Sequence, residues 1–209
     1  FLNLEAGKAL AAAKKVGLNF TEEQALAWVT KNPAWALGVE DKTGTLEKGK
    51  HADIVVWDGS PFSIYTKTKL VFINGKQVFN RETKKRISSD FEVGFQDMAF
   101  NDGREFLLAQ TKDNISWDTS KIKNTELSNN FQINNVNAFI GGKWVPNSHL
   151  VVKKGIIKAI DPKQQDENLP TLDGKNLYLT PGFIDSNSSL GLLEIELDSK
   201  AQDIRNPNP

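Results

Sequence analysis

ADIVVWDGSPFSIYTKTKLVFINGKQVF, Ala52–Phe79, decides how this chain folds. Its first six residues, ADIVVW, combine β-branched and aromatic side chains in the manner of a buried strand. Leu70–Ile73 and Gln77–Phe79 then flank Asn74-Gly75, a pair that accepts positive φ at both centres of a tight hairpin turn. The region after Gly44 is therefore predicted to be strand and turn.

Upstream the period is helical. Leu2–Val16 carries Leu4, Ala9, Leu10, Ala12 and Ala13 among Lys and Glu, and Gly17 is placed to end that helix. Thr21 and Gln24 have the spacing of a capping box for a second helix over Glu22–Thr30. Asn32 before Pro33 reads as the N-cap of a third, short helix ending at Gly38.

Downstream, residues 86–130 are polar and weakly periodic, a junction with one or two irregular strands. Hairpin signals return from Ile133: NAFI and KWV around Gly141-Gly142, LVVKK and IIKAI around Gly155, and TLDGKNLYLT with a turn at Asp173-Gly174. Short antiparallel strands are expected there. LTPGFIDSNSSLGL, Leu179–Leu192, runs from an apolar strand into Asp185, Ser186, Asn187, Ser188 and Ser189, as a parallel-barrel strand does at its carboxyl end. The tail turns acidic and ends in Asn-Pro repeats, an extended segment. The opening FLNLEAGKAL lacks an initiator Met, so the chain is expected to start inside a longer protein and to be cut at both ends.

The 209 residues hold 26 Lys plus Arg and 26 Asp plus Glu. Zero net charge supplies no field to collect nucleic acid or an anionic membrane. No apolar run approaches the roughly 20 residues that span a bilayer. The absence of Cys excludes disulfides, thiolate chemistry and Cys-based zinc sites while leaving the compartment open.

Few residues offer chemistry, and each has a plainer reading. His51 and His149, the only histidines, sit beside sandwich strands far from any carboxylate cluster and read as surface residues. Glu194, Glu196 and Asp198 alternate on one face of an extended segment; a cation could sit there, but a solvated acidic face suffices. Trp28, Trp35, Trp57, Trp117 and Trp144 are read as packing residues. Ser186, Ser188 and Ser189 have no neighbouring base to activate them. Gly141-Gly142-Lys143 and Gly155 lie in hairpin turns that precede no helix, so no phosphate cradle forms.

TKNPAWALGVEDKTGTLEKGKHADIVVWDGSPFS, Thr30–Ser63, resembles the carboxyl-terminal end of metal-dependent amidohydrolases of the imidazolonepropionase-like group. The likeness rests on Asn32-Pro33-Ala34, Leu37-Gly38, Gly44-Thr45-Leu46-Glu47, Gly49-Lys50, Ala52-Asp53 and Trp57, then the VFINGKQVF hairpin with which such chains finish. The second half resembles the beginning of the same family through NAFIGGKWV, LVVKKGIIKAI and LDGKNLYLTPGFID. In that family the last stretch ends Phe-Ile-Asp-x-His-x-His and its two histidines ligate a metal; here those positions hold Asn187 and Ser189. The resemblance implies zinc or another divalent metal in an intact member, a final aspartate ligand upstream of Phe1, and no catalytic, cofactor or metal residue within this fragment. It also favours an exported protein.

On this resemblance the expected fold is mainly β with N-terminal helices. It is a composite, permuted β-sandwich of the amidohydrolase small domain, with pieces of two incomplete barrels, because a (β/α)8 barrel takes about 250 residues. Residues 1–43 are expected to be the last barrel helices of a first copy and 44–85 its terminal sandwich strands. Residues 86–130 form the junction, 131–178 the opening strands of a second, degenerate copy, and 179–209 the truncated start of its barrel. The function so implied is the non-catalytic sandwich of a C–N bond hydrolase; the alternative is a purely structural module linking two barrels, the second a pseudo-enzyme. The expected partners are the remainder of the parent chain or a neighbouring copy, including a homodimer through strand complementation, with neither nucleic acid nor membrane involved.

Overall fold

The computed structural model describes residues 2–82, 117–118, 129–161, 166 and 168–186. Local signals set its helices. α1 spans Leu2–Lys15, α2 Glu22–Trp28 and α3 Lys31–Ala36. The capping box before α2 forms in full: the Gln24 N–H donates to Thr21 Oγ1 at 3.2 Å, and the Thr21 N–H donates to Gln24 Oε1 at 2.9 Å. α3 starts earlier than its Asn-Pro pair predicts. Thr30 holds the N-cap position, and its hydroxyl donates instead to the Leu26 carbonyl at 2.8 Å. Asn32 is thus a helical residue, and Pro33 falls in the first turn, where a missing N–H costs nothing.

Among the described residues nine strands follow: β1 Ile54–Trp57, β2 Thr68–Ile73, β3 Lys76–Asn80, β4 Trp117–Asp118, β5 Phe131–Ile140, β6 Lys143–Lys153, β7 Ile156–Ile160, β8 Thr171–Asp173 and β9 Tyr178–Pro181. Asn74 and Gly75 take φ of 50° and 70°, and Gly141 and Gly142 take 60° and 79°, so both hairpins turn as their sequences require. The sheet order is β3-β2-β1-β9-β5-β6-β7, with β8 beside β5 and β4 beside β8. Strands from the two ends of the chain therefore share one sheet, joined where β1 meets β9 in an antiparallel ladder from Ile54↔Pro181 to Trp57↔Tyr178.

A proline inside a central strand needs an explanation. The Gly182 N–H donates to the Asp53 carbonyl at 2.8 Å, and ladder bonds in an antiparallel pair fall on alternate residues. Pro181 then occupies a position from which β1 takes no N–H, and the pairing of β9 with β5 has already ended at Leu179.

The stretch around Asp173-Gly174 departs from the expected antiparallel hairpin. β8 and β9 do not pair with each other; both run parallel to β5, one after the other along its side. Asp173 Oδ1 accepts from Asn135 Nδ2 at 3.0 Å and from the Lys175 N–H at 3.2 Å, a local turn that steps the chain outward. The Gly174 N–H donates to the Asn134 carbonyl at 2.7 Å and the Asn137 N–H to the Leu177 carbonyl at 3.0 Å, which brings it back to the same strand. A Cβ on Gly174 would lie 2.8 Å from that of Val136, so only glycine permits this approach.

Two layers arise from one sheet that curls over, rather than from two separate sheets. The residues just before β1 return to its far end: the Gly49 N–H donates to the Ile157 carbonyl at 2.8 Å, the Ile157 N–H to that of Lys50 at 2.9 Å, and the Ala52 N–H to that of Gly155 at 2.8 Å. Inside, Ile54, Val56, Leu70 and Phe72 meet Phe131, Ile133, Leu150, Leu172 and Leu179, all buried. Phe72 stacks on Phe131 with ring centroids 4.6 Å apart. A second, smaller cluster joins Ala6, Leu26 and Val29 of the helices to Phe139 on the outer face.

Candidate functional site

β1 alternates. Ile54 and Val56 point into the core, which turns Val55 and Trp57 to the opposite face. There they floor a cleft of about 490 Å³, walled by Leu2 of α1, by Val71 and Ile73 of β2, and by Phe183 and Ile184 beyond β9. The Trp57 indole N–H donates to Thr180 Oγ1 at 3.0 Å, and its ring lies 5.5 Å from that of Phe183. The Ile184 N–H donates to the Val29 carbonyl at 2.9 Å, which ties the strand exit to the end of α2.

Among the described residues, Asp53 is the one titratable residue lining the cleft. Its Oδ2 accepts from Thr43 Oγ1 at 2.9 Å and its Oδ1 from the Asn74 N–H at 2.8 Å. With the Gly182 bond to its carbonyl, Asp53 fastens three separate segments to β1. A carboxylate engaged at both oxygens by hydrogen-bond donors from two other segments ties those segments together. Asp53→Ala is expected to cost about 1.5–3 kcal/mol in urea unfolding, the usual loss for hydrogen bonds to a charged group. Its Ala-Asp-Ile setting had no chemical signal in sequence; the signal lay in Thr43 and Asn74, distant positions that only the fold brings together.

The predicted candidates are scattered. Ser186 is exposed at the end of the described chain. Asn187, Ser188, Ser189, Glu194, Glu196 and Asp198 lie outside the described residues. His51 is half-buried and forms a β-bridge to Ile156. Of the tryptophans, Trp57 is buried in the sheet, whereas Trp35 is 72% exposed on α3 and does not pack as expected. Val16, Leu18 and Leu37 are exposed as well.

His149 is a correction: it is buried within β6, not on the surface. The run Leu150-Val151-Val152 that follows is buried on both faces, and His149 is enclosed with it. Its Nε2 lies 3.2 Å from Gln132 Oε1. Gln132 Nε2 donates to the Asp166 carbonyl and to Thr171 Oγ1, at 3.0 and 2.6 Å, so Oε1 is the accepting end and the imidazole carries its proton on Nε2. Lys153 Nζ donates to Asp166 Oδ2 at 2.6 Å, and this bond holds the Asp166 carboxyl below the usual carboxylate range. Burial pushes the His149 imidazole below its ordinary value of 6.5, against an opposing pull from Asp161. The folded chain therefore takes up that proton at lower pH than the unfolded chain. Stability from this group is complete above about pH 6.5 and falls as pH drops through and below it. Urea midpoints measured between pH 7.5 and 5 should show that decline, and His149→Gln should remove it.

Residues 15–79 match the amidohydrolase family. Over that segment, less than half of its length, the chain is similar to the amidohydrolases. It is similar to the dihydroorotase of Lactobacillus acidophilus, 36% identical over 85 residues that cover 31% of this chain and 20% of the relative. It is also similar to the imidazolonepropionase of Mesorhizobium japonicum, 55% identical over 47 residues, 22% of this chain and 11% of the relative. A third match is the imidazolonepropionase of Brucella suis, 55% identical over 38 residues, 18% and 9% of the two chains. The chain thus spans a fifth or less of the length of these relatives. No solved structure matches it.

The divalent metal implied by the resemblance finds no fitting set of ligands among the described residues. Among the described residues no three His, Asp or Glu side chains converge. Asn187 and Ser189 are neutral oxygen donors where a catalytic site takes about three imidazole or anionic ligands.

Proposed function

We propose that this chain is the composite, non-catalytic β-domain of an amidohydrolase-like parent acting on C–N bonds other than peptide bonds. Its terminal strands come from a first copy, and its opening strands come from a second copy that lacks the His-x-His ligands. In this permuted order β1 to β3 precede β5 to β9, and residues 1–43 and 179–209 are the adjoining pieces of two barrels. The observation that carries the reading is the β1–β9 ladder: β1 lies within the segment that matches the amidohydrolases, and β9, which ends at Pro181, leads straight into Gly182-Phe183-Ile184-Asp185. The apolar cleft and the exposed Val16, Leu18, Trp35 and Leu37 support a seat for further protein, the remainder of the parent chain.

The replacement of both ligand positions by Asn187 and Ser189 favours a second reading, in which the domain only holds two barrels in register and the second is a pseudo-enzyme. Metal analysis tests the first. After equilibration with excess zinc and gel filtration, the chain is expected to retain far less than one zinc per chain; about one, abolished by substitutions within this segment, would sink the proposal. Asn187→His with Ser189→His in the full parent separates the two readings. Zinc uptake indicates that the other ligands survive in the second copy; no uptake indicates that they too are lost.

A further inference from the structure

The contacts that close this sheet join residues 2–82 to residues 129–186, and they do so on two edges at once. On one edge β1 pairs with β9. On the other, Gly49, Lys50 and Ala52 bond to Gly155 and Ile157 around β7. Between the edges the Phe72 ring stacks on that of Phe131, and outside them Trp57 bonds Thr180, Asp53 bonds Gly182 and Val29 bonds Ile184. Taken without the other, the leading half would expose two strand edges and the core faces of Ile54, Val56, Leu70 and Phe72, and the trailing half two matching edges. None of these contacts requires both halves to belong to one polypeptide. Residues 83–116, between Glu82 and Trp117, number 34 and span up to about 110–120 Å when extended, at about 3.3–3.6 Å per residue.

We propose that the partner of this domain is a second copy of the same chain, recognised by reciprocal exchange: the leading half of one copy closes on the trailing half of another through the same two-edged interface. This rests on the composite reading of the domain. Because the contacts are identical within one chain and between two, only effective concentration separates the closed monomer from the exchanged dimer. That concentration is of millimolar order for short linkers and lower for longer ones. The same surface serves a parent with several copies, where a leading half meets whichever trailing half is nearest.

The chain has no cysteine, so single cysteines report the pairing directly. Val55 faces Thr180 across the β1–β9 ladder, and Cα atoms opposite each other there lie about 4.5–5.5 Å apart, within disulfide range. One full-length chain carries Val55→Cys with Ile133→Asp, which disables its trailing half. The other carries Thr180→Cys with Leu70→Asp, which disables its leading half. Refolded together and oxidised, they should give a cross-linked heterodimer absent from either chain alone. A second arm keeps both cores intact: Val55→Cys and Thr180→Cys chains refolded together near millimolar concentration should give the same band. A mixture that never exceeds the unmixed controls in either arm, while the Val55→Cys/Thr180→Cys double variant closes its disulfide within one chain, overturns exchange and leaves the composite domain standing. A double variant that fails to close overturns both.

Discussion

Gly155→Ala is expected to destabilise the domain by about 2–5 kcal/mol, enough to consume much of the stability of a small domain. Two independent costs add. Gly155 has φ of 74°, a left-handed conformation that costs a residue with a Cβ about 1–2 kcal/mol. Its added Cβ would also collide with the carbonyl oxygen of Asn74, and Asn74 is held by its own N–H bond to Asp53 Oδ1. Backbone pinned in this way cannot give, so an overpacking cost of about 1–3 kcal/mol applies. The Asn74-Gly75 turn presses on the Lys154-Gly155 turn from the other half; a Cβ on Gly75 would lie 2.7 Å from the Gly155 Cα. Lys154→Ala, in the same turn but with an exposed side chain, should cost far less, and chemical unfolding of the two variants side by side checks the contrast.

Phe72→Ala and Phe131→Ala should each cost about 3–5 kcal/mol, because each removes a buried ring from the centre of the core. The double variant should cost less than the sum. The rings stack at 4.6 Å, and once one is gone the other has lost that stacking contact, so a coupling of about 0.5–1.5 kcal/mol is expected. Phe72 stands on β2 and Phe131 on β5, so this coupling measures how tightly the two ends of the chain depend on each other. Strict additivity in urea unfolding would mean that the rings do not share one core.

What could be read from sequence was local. The Thr21/Gln24 capping box, the Asn74-Gly75 turn and the Gly141-Gly142 turn each depend on residues within four positions, and each forms as its residues dictate. Where a signal had two outcomes, tertiary contacts chose. Asp173-Gly174 carries the residues of a reversing turn. It becomes a sideways step because β5 offers Asn135 to bond Asp173 and a close seat against Val136 for Gly174, which keeps β8 and β9 parallel to it. Asn32 lost the cap position to Thr30 because the helix begins two residues nearer to α2. His149 looked like a surface residue because burial depends on which strands cover β6, and no nearby residue announces Gln132 as its partner. Trp35 carried the apolar signal of a core residue, yet α3 turns it outward.

The candidate site was legible in part for a related reason. The family likeness brought Ala52-Asp53 and Pro181-Gly182 to notice as motifs, one in each half of the chain. That they touch, with the Gly182 N–H on the Asp53 carbonyl, comes from strand order, which neither motif encodes alone. The cleft, the bond from Gly182 to Asp53 and one edge of the exchange interface all depend on that adjacency of β1 and β9.

Nuclear Overhauser contacts across this ladder test it most directly. Val56 and Leu179 are opposed at a position that takes no ladder bond, where antiparallel backbones come closest. A strong Hα–Hα contact between Val56 and Leu179 is expected, with slow amide exchange at Val55 and Thr180. Absence of that contact, with β1 amides exchanging as fast as an open strand edge, would contradict the composite domain.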